Sequence, residues 1–252
     1  MAVRLYAHRG AAAEAPENTL PSFERALEAG ADALEFDVHA TRDGTLVVSH
    51  DPDGIRMAGV PRRFAEVGFD EVRSWDAGLG FRDREGGQPF AGRGIRVPSF
   101  AEVLDAFPGV PLNVDLKAPV ADAAVALLRK HRAEERVCLA SFQVSTLRRV
   151  RALGYAGPTS LASAEVAQLL ALPAFLSRGP FRPRAAYAQL PTQLGLAWVI
   201  ARCRALGLRV DYWTVNDPAM ALRLIALGAH GIMTDDPRRL VPVVRATAPR
   251  AG

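Results

Sequence analysis

Lysine is almost missing from this chain. Lys117 and Lys130 are the only two, although lysine and arginine together number 31 in 252 residues. The formal excess of +4 is therefore carried by arginine and spread thinly. No block of five or more like charges occurs, which removes the usual basis for a nucleic-acid arm or a polybasic membrane tail. Cysteine is scarce as well. Cys138 and Cys203 lie far apart and outside any metal-type spacing, so both read as reduced core residues. There is no run of 18 apolar residues to cross a membrane. The first residues run straight into a strand pattern, Arg4 to His8, with no basic and apolar leader before it. Also missing is the glycine-rich dinucleotide turn that a doubly wound sheet places after its first strand. Together these absences make a cytoplasmic globular protein, with no nucleic-acid partner and no stable membrane anchor, the expectation. Its oligomeric state is not written in the sequence.

What is present is a rhythm. Short apolar segments bounded by turn residues predict strands at 3–8, 33–38, 111–117, 137–142, 157–162, 186–190, 209–215 and 231–235. Helical spacing fills the gaps at 19–29, 99–107, 120–131, 145–153, 164–172, 194–206, 217–227 and 237–246. Eight such alternations predict an α/β fold of the (β/α)8-barrel type over residues 1–252. An open doubly wound sheet is the competing architecture.

Two features break the rhythm. Leu46 to His50 reads as an extra strand too close to strand two for a crossover helix, with Asp43-Gly44 as a hairpin turn between them. A two-residue turn pairs Arg42 with Thr45 and sets His50 opposite Asp37, so that the two share a sheet face. Residues 52–97 show little periodicity and read as an insertion over the barrel mouth. Phe64, Val67, Phe69, Val72, Trp75, Leu79 and Phe81 give it enough apolar surface to pack.

The chemistry lies at strand ends. Glu35 and Asp37 project to one face of strand two, and Asn113, Asp115 and Lys117 to one face of strand four. Inward-facing carboxylates are costly without a cation. Glu35, Asp37 and Asp115 together make an all-oxygen site suited to Mg²⁺ or Ca²⁺. Arg9 and Lys117 add positive charge for a phosphate, and His8 and His50 remain for proton transfer. An ion pair between Lys117 and Asp115 is the structural alternative. Trp213 either walls the pocket or fills the core, and Phe142, after Ser141, is equally open. Asn216 and Asp235 read as ties between top loops. His39 reads as solvated.

In order along the chain stand His8-Arg-Gly, Pro16-Glu-Asn-Thr, Glu35-x-Asp-Val, Val47-Val-x-His-Asp, Asp76-Ala-Gly, Asn113-x-Asp-x-Lys, Trp213-Thr-Val-Asn and Gly231-Ile-x-Thr-Asp. This set resembles the glycerophosphodiester phosphodiesterase family nearly end to end, and that family is similar to phosphatidylinositol-specific phospholipase C. The resemblance implies a TIM-type barrel, a divalent cation on Glu35 and Asp37, His8 and His50 as the acid–base pair, and Arg9 and Lys117 on phosphate. It implies a glutamate where this chain has Asp115, one methylene shorter. The expected activity is hydrolysis of a small-molecule glycerophosphodiester to glycerol 3-phosphate and an alcohol. The alternatives are a barrel aldolase with Lys117 as Schiff-base nucleophile, a phospholipase-type phosphodiesterase, and a non-catalytic phosphate-binding barrel.

Overall fold

A computed structural model describes residues 3–171 and 184–247. The strands are β1 (Arg4–His8), β2 (Ala33–Ala40), β3 (Leu46–Val48), β4 (Asp53–Gly54), β5 (Val60–Arg63), β6 (Leu112–Leu116), β7 (Val137–Ala140), β8 (Tyr187–Pro191), β9 (Arg209–Trp213) and β10 (Gly231–Thr234). The α-helices are α1 (Leu20–Glu28), α2 (Ile55–Ala58), α3 (Phe69–Val72), α4 (Phe100–Ala106), α5 (Ala121–Lys130), α6 (Val144–Ala152), α7 (Ser163–Ala171), α8 (Ala197–Ala205), α9 (Pro218–Ala226) and α10 (Pro237–Ala246). The last position of the helix expected at 164–172 lies outside the described residues.

The parallel strands run in the order β7-β6-β2-β1-β10-β9-β8. The strand expected at 157–162 shrinks to two bridging residues, Thr159 against Leu139 and Ser160 against Tyr187. Pro158 precedes them and has no N–H to extend the ladder. These bridges join β7 to β8 and close the ring, giving the TIM-type barrel.

Period-two alternation divides the strands cleanly. Phe36, Val38, Val114, Leu116, Leu139, Leu190, Val210 and Ile232 face outward and are buried under the helices. Phe36 packs between Phe23 of α1 and Phe100 of α4, with ring centroids 5.6 and 5.4 Å away. The inward positions are polar at many levels, including Glu35, Asp37, Asn113, Asp115 and Asp211.

The hairpin differs from expectation by one residue. Val38 pairs with Val48 and Ala40 with Leu46, which sets Ser49, not His50, opposite Asp37. The Ser49 amide donates to the Asp37 carbonyl at 3.0 Å. The loop has three residues, 42–44, closed by Thr41 and Thr45, with Gly44 at φ +82°. That left-handed glycine is the mark of the three-residue hairpin with a bulge, which competes with the two-residue turn for the same Asp-Gly sequence.

Residues 52–97 form a packed unit at the rim. Met57, Phe64, Val67, Val72, Trp75 and Val97 bury one another against Val47 of β3. Arg84 of this unit reaches Asp236, and Arg56 reaches Glu17, on loops at the C-terminal ends of strands.

Candidate active site

The C-terminal ends of the strands surround a cavity of about 410 Å³. His8, Arg9, Glu35, Asp37, His50, Asp115, Lys117, Phe142 and Trp213 all line it. Every site residue expected from sequence is thus brought to one place.

The turn after β1 is built for close approach. Arg9 and Gly10 both adopt left-handed backbone, at φ +57° and +86°. A Cβ on Gly10 would stand 2.9 Å from the Ser22 backbone, so only glycine fits there. The turn aims the Arg9 amide at Glu35 Oε2, 3.0 Å away. Asn18, buried within the Pro-Glu-Asn-Thr segment, donates from Nδ2 to Asp37 at 3.1 Å. The Arg9 guanidinium lies 3.3 Å from Asp37 and 3.1 Å from Glu17.

Strand register sets Asp37 beside Asp115. Lys117 bridges the two, at 3.0 Å from Asp37 and 2.6 Å from Asp115. Burial alone would lower the Lys117 proton affinity, but Asp37 and Asp115 outweigh it and hold the side chain as ammonium. For Asp37, burial is likewise outweighed, here by Lys117 and Arg9, and its carboxyl stays below the usual carboxylate range. Burial pushes Asp115 up despite Lys117. Burial also lifts Glu35, against the pull of His8 and with the help of Asp37 and Asp115, to about 7.

Both imidazoles are held in the same way. His8 Nδ1 donates to Asp235 Oδ1 at 2.7 Å, and His50 Nδ1 donates to Asp51 Oδ1 at 2.8 Å. A carboxylate on Nδ1 fixes the tautomer and leaves Nε2 for proton transfer. His8 Nε2 lies 3.9 Å from Glu35. Burial would depress His8, but Glu35 and the Asp235 bond raise its proton affinity above the ordinary histidine value. Asp235 is fixed in turn by Asn216 Nδ2 at 2.7 Å.

Asp51 and Asp235 escaped the sequence reading as partners of the histidines. His39 did too. It is half-buried rather than free in solvent: its ring stacks on Phe64, and Nε2 donates to the His50 carbonyl at 3.1 Å. His50 still lines the cavity despite the shifted register, two residues beyond the end of β3. Phe142 and Trp213 form an edge-to-face pair with centroids 5.8 Å apart, on the apolar side of the cavity with Leu161, Val166 and Leu194.

The donor chemistry of the acidic side fits a hard divalent cation. Glu35, Asp37 and Asp115 offer only oxygen, and Oδ1 of Asp115 is buried with no protein partner. They do not already stand as a cluster. Among the described residues no three His, Cys, Asp or Glu side chains are gathered at metal-binding distances, and Lys117 bridges Asp37 and Asp115 instead.

An inward-facing, charge-lined mouth on a (β/α)8 barrel defines the class, a barrel enzyme. The sequence profile of the glycerophosphoryl diester phosphodiesterase family matches residues 8–239. A glycerophosphodiester phosphodiesterase of Caldanaerobacter subterraneus is 29% identical, over 97% of this chain and 99% of its own. A human lysophospholipase D is 27% identical, over 92% of this chain and 83% of its own. A phosphodiesterase of Oleispira antarctica, solved in complex with the product sn-glycerol-3-phosphate, superposes with a TM-score of 0.81 at 24% identity, covering 97% of each chain. The chain belongs to the glycerophosphoryl diester phosphodiesterase family and is a phosphodiesterase of that class.

Among the described residues no helix is long and apolar enough to cross a membrane.

Proposed function

We propose that this cavity hydrolyses small glycerophosphodiesters to sn-glycerol 3-phosphate and an alcohol by acid–base catalysis with His8 and His50. The observation that supports the reading is the matched pair of aspartate-held imidazoles lining one cavity with Arg9 and Lys117. Arg9 and Lys117 bind the phosphate oxygens and stabilise charge as it grows there. One Nε2 removes a proton from the attacking oxygen, and the other gives a proton to the departing one. Glu35, Asp37 and Asp115 are the residues that would hold Ca²⁺ or Mg²⁺, which supplies a Lewis acid for a phosphate oxygen. Phe142 and Trp213 shape the apolar side, where an organic part of the diester rests.

The aldolase alternative loses its support at Lys117. A Schiff-base lysine needs a free amine, and this one is held as ammonium between two carboxylates.

The test is release of sn-glycerol 3-phosphate from glycerophosphocholine and glycerophosphoethanolamine. Turnover is expected from the untreated protein, lost with a chelator and restored by Mg²⁺ or Ca²⁺. Full activity in chelator would remove the metal from the proposal, and no release from either diester would remove the substrate.

A further inference from the structure

Two charged arms of the mouth meet on one side chain that the mechanism above does not use. Arg56 stands in α2, on the inserted segment. Its Nε donates to Asp51 Oδ2 at 2.5 Å, and its Nη2 donates to Glu17 Oε1 at 2.6 Å. The other oxygen of Asp51 holds His50. The same oxygen of Glu17 accepts from Arg9 Nη1 at 3.1 Å. Charge therefore alternates along the path Arg9, Glu17, Arg56, Asp51, which ends at the His50 ring.

We infer that Arg56 is a positioning residue, tying the His50 arm to the Arg9 arm and sharing the charge of Glu17 so that Arg9 stays available to phosphate. The inference rests on the proposed hydrolysis. A forked guanidinium can grip two carboxylates lying in different directions, and an ammonium cannot do so with the same geometry. The backbone beneath Arg56 is held from two sides. A Cβ on Gly54 would come within 2.6 Å of the Trp75 ring, and one on Gly80 within 2.2 Å of the Arg56 carbonyl. The Gly80 amide also donates to the Met57 carbonyl at 2.8 Å. Half of the Arg56 side chain is exposed, so its ion pairs contribute little to stability. Its effect lies in placement, where small displacements of a catalytic group are costly.

The experiment compares Arg56→Ala, Arg56→Lys, Asp51→Asn and the Arg56→Ala/Asp51→Asn double variant on glycerophosphocholine. Ile55→Ala, an exposed neighbour, is the control with unchanged kinetics. Arg56→Ala is expected to lose about 10–100-fold in kcat/KM, with KM rising as Glu17 captures Arg9 and kcat falling as His50 loosens. Arg56→Lys recovers part of the loss. Because Arg56 and Asp51 share one contact, the double variant falls short of the product of the two single losses. Inorganic phosphate binding, read by calorimetry, gives an answer without turnover: Arg56→Ala weakens it about five- to tenfold. Kinetics and phosphate affinity within threefold of wild type in Arg56→Ala, or strict multiplication of losses in the double variant, would overturn the inference. An inactive wild-type protein would count against the hydrolysis itself, and the phosphate measurement would still decide for or against Arg56.

Discussion

Charge is buried at both ends of this barrel, and the two ends use it differently. At the mouth, Glu35, Asp37, Asp115, Arg9 and Lys117 face a cavity: Asp37 pairs with Arg9 and Lys117, Asp115 with Lys117, and Glu35 stands near His8. At the floor, Asp211 on β9 is fully buried. Burial pushes its carboxyl up to about 6, with Arg209, Tyr6 and Arg4 pulling the other way. Gly231, paired with Asp211 across the β9–β10 ladder, makes the room: a Cβ there would stand 2.4 Å from Asp211 Oδ1. None of Arg4, Tyr6, Arg209 and Asp211 lines the cavity. Interior charge by itself is therefore no sign of a site. The mouth adds access and two oriented imidazoles. This division matches the general behaviour of such barrels, whose chemistry sits at the C-terminal ends of the strands and whose opposite end serves stability.

The comparison can be broken by mutation. The largest difference belongs to the imidazoles: His8→Ala or His50→Ala is expected to cost about 10²–10⁴-fold in kcat. Asp235→Asn comes next, at about 10–100-fold, because it keeps the shape but weakens the grip on His8. That carboxylate raises the His8 proton affinity, so its loss moves the His8 limb of the pH–rate profile to lower pH. The smallest effect on turnover is at the floor, where Asp211→Asn leaves kcat unchanged and alters stability instead. The folded-state carboxyl titrates at about 6, above its ordinary 3.8. Between those values the folded protein holds a proton that the unfolded chain has shed, so stability falls as pH rises and stays low above 6. Asp211→Asn removes that cost and should raise the melting midpoint at pH 8 by about 2–6 °C. The gain should shrink as pH falls through 6 and vanish only below 3.8, where wild-type Asp211 is protonated in both states.

The same contrast shows what a sequence can tell. The barrel was legible because alternation of apolar and polar residues is a local property, and seven of the eight barrel strands appear within a few residues of their expected positions. The carboxylates and Lys117 were legible because an i, i+2 spacing fixes a shared face. The register of His50 was not. Asp43-Gly44 serves two hairpin types equally well, and the choice falls on tertiary contacts such as the Arg42 amide to the Val67 carbonyl, 2.8 Å apart. Asp235 could have been found by closing the ring, since pairing the last strand with the first puts Thr234 beside Ala7 and Asp235 one step on, beside His8. Arg56 had no such signal. Its contacts with Glu17 and Asp51 join segments far apart in the chain or off any regular period, and only the folded insertion brings them together.

The most direct measurement sets both ends of the barrel side by side: sn-glycerol 3-phosphate released from glycerophosphocholine by wild type, His8→Ala, His50→Ala and Asp211→Asn under one metal-replete condition. The two histidine variants should fall by at least about 100-fold while Asp211→Asn stays within about twofold of wild type. Near-normal release by both histidine variants, or collapse of turnover in a folded Asp211→Asn protein, would contradict the assignment of chemistry to the mouth.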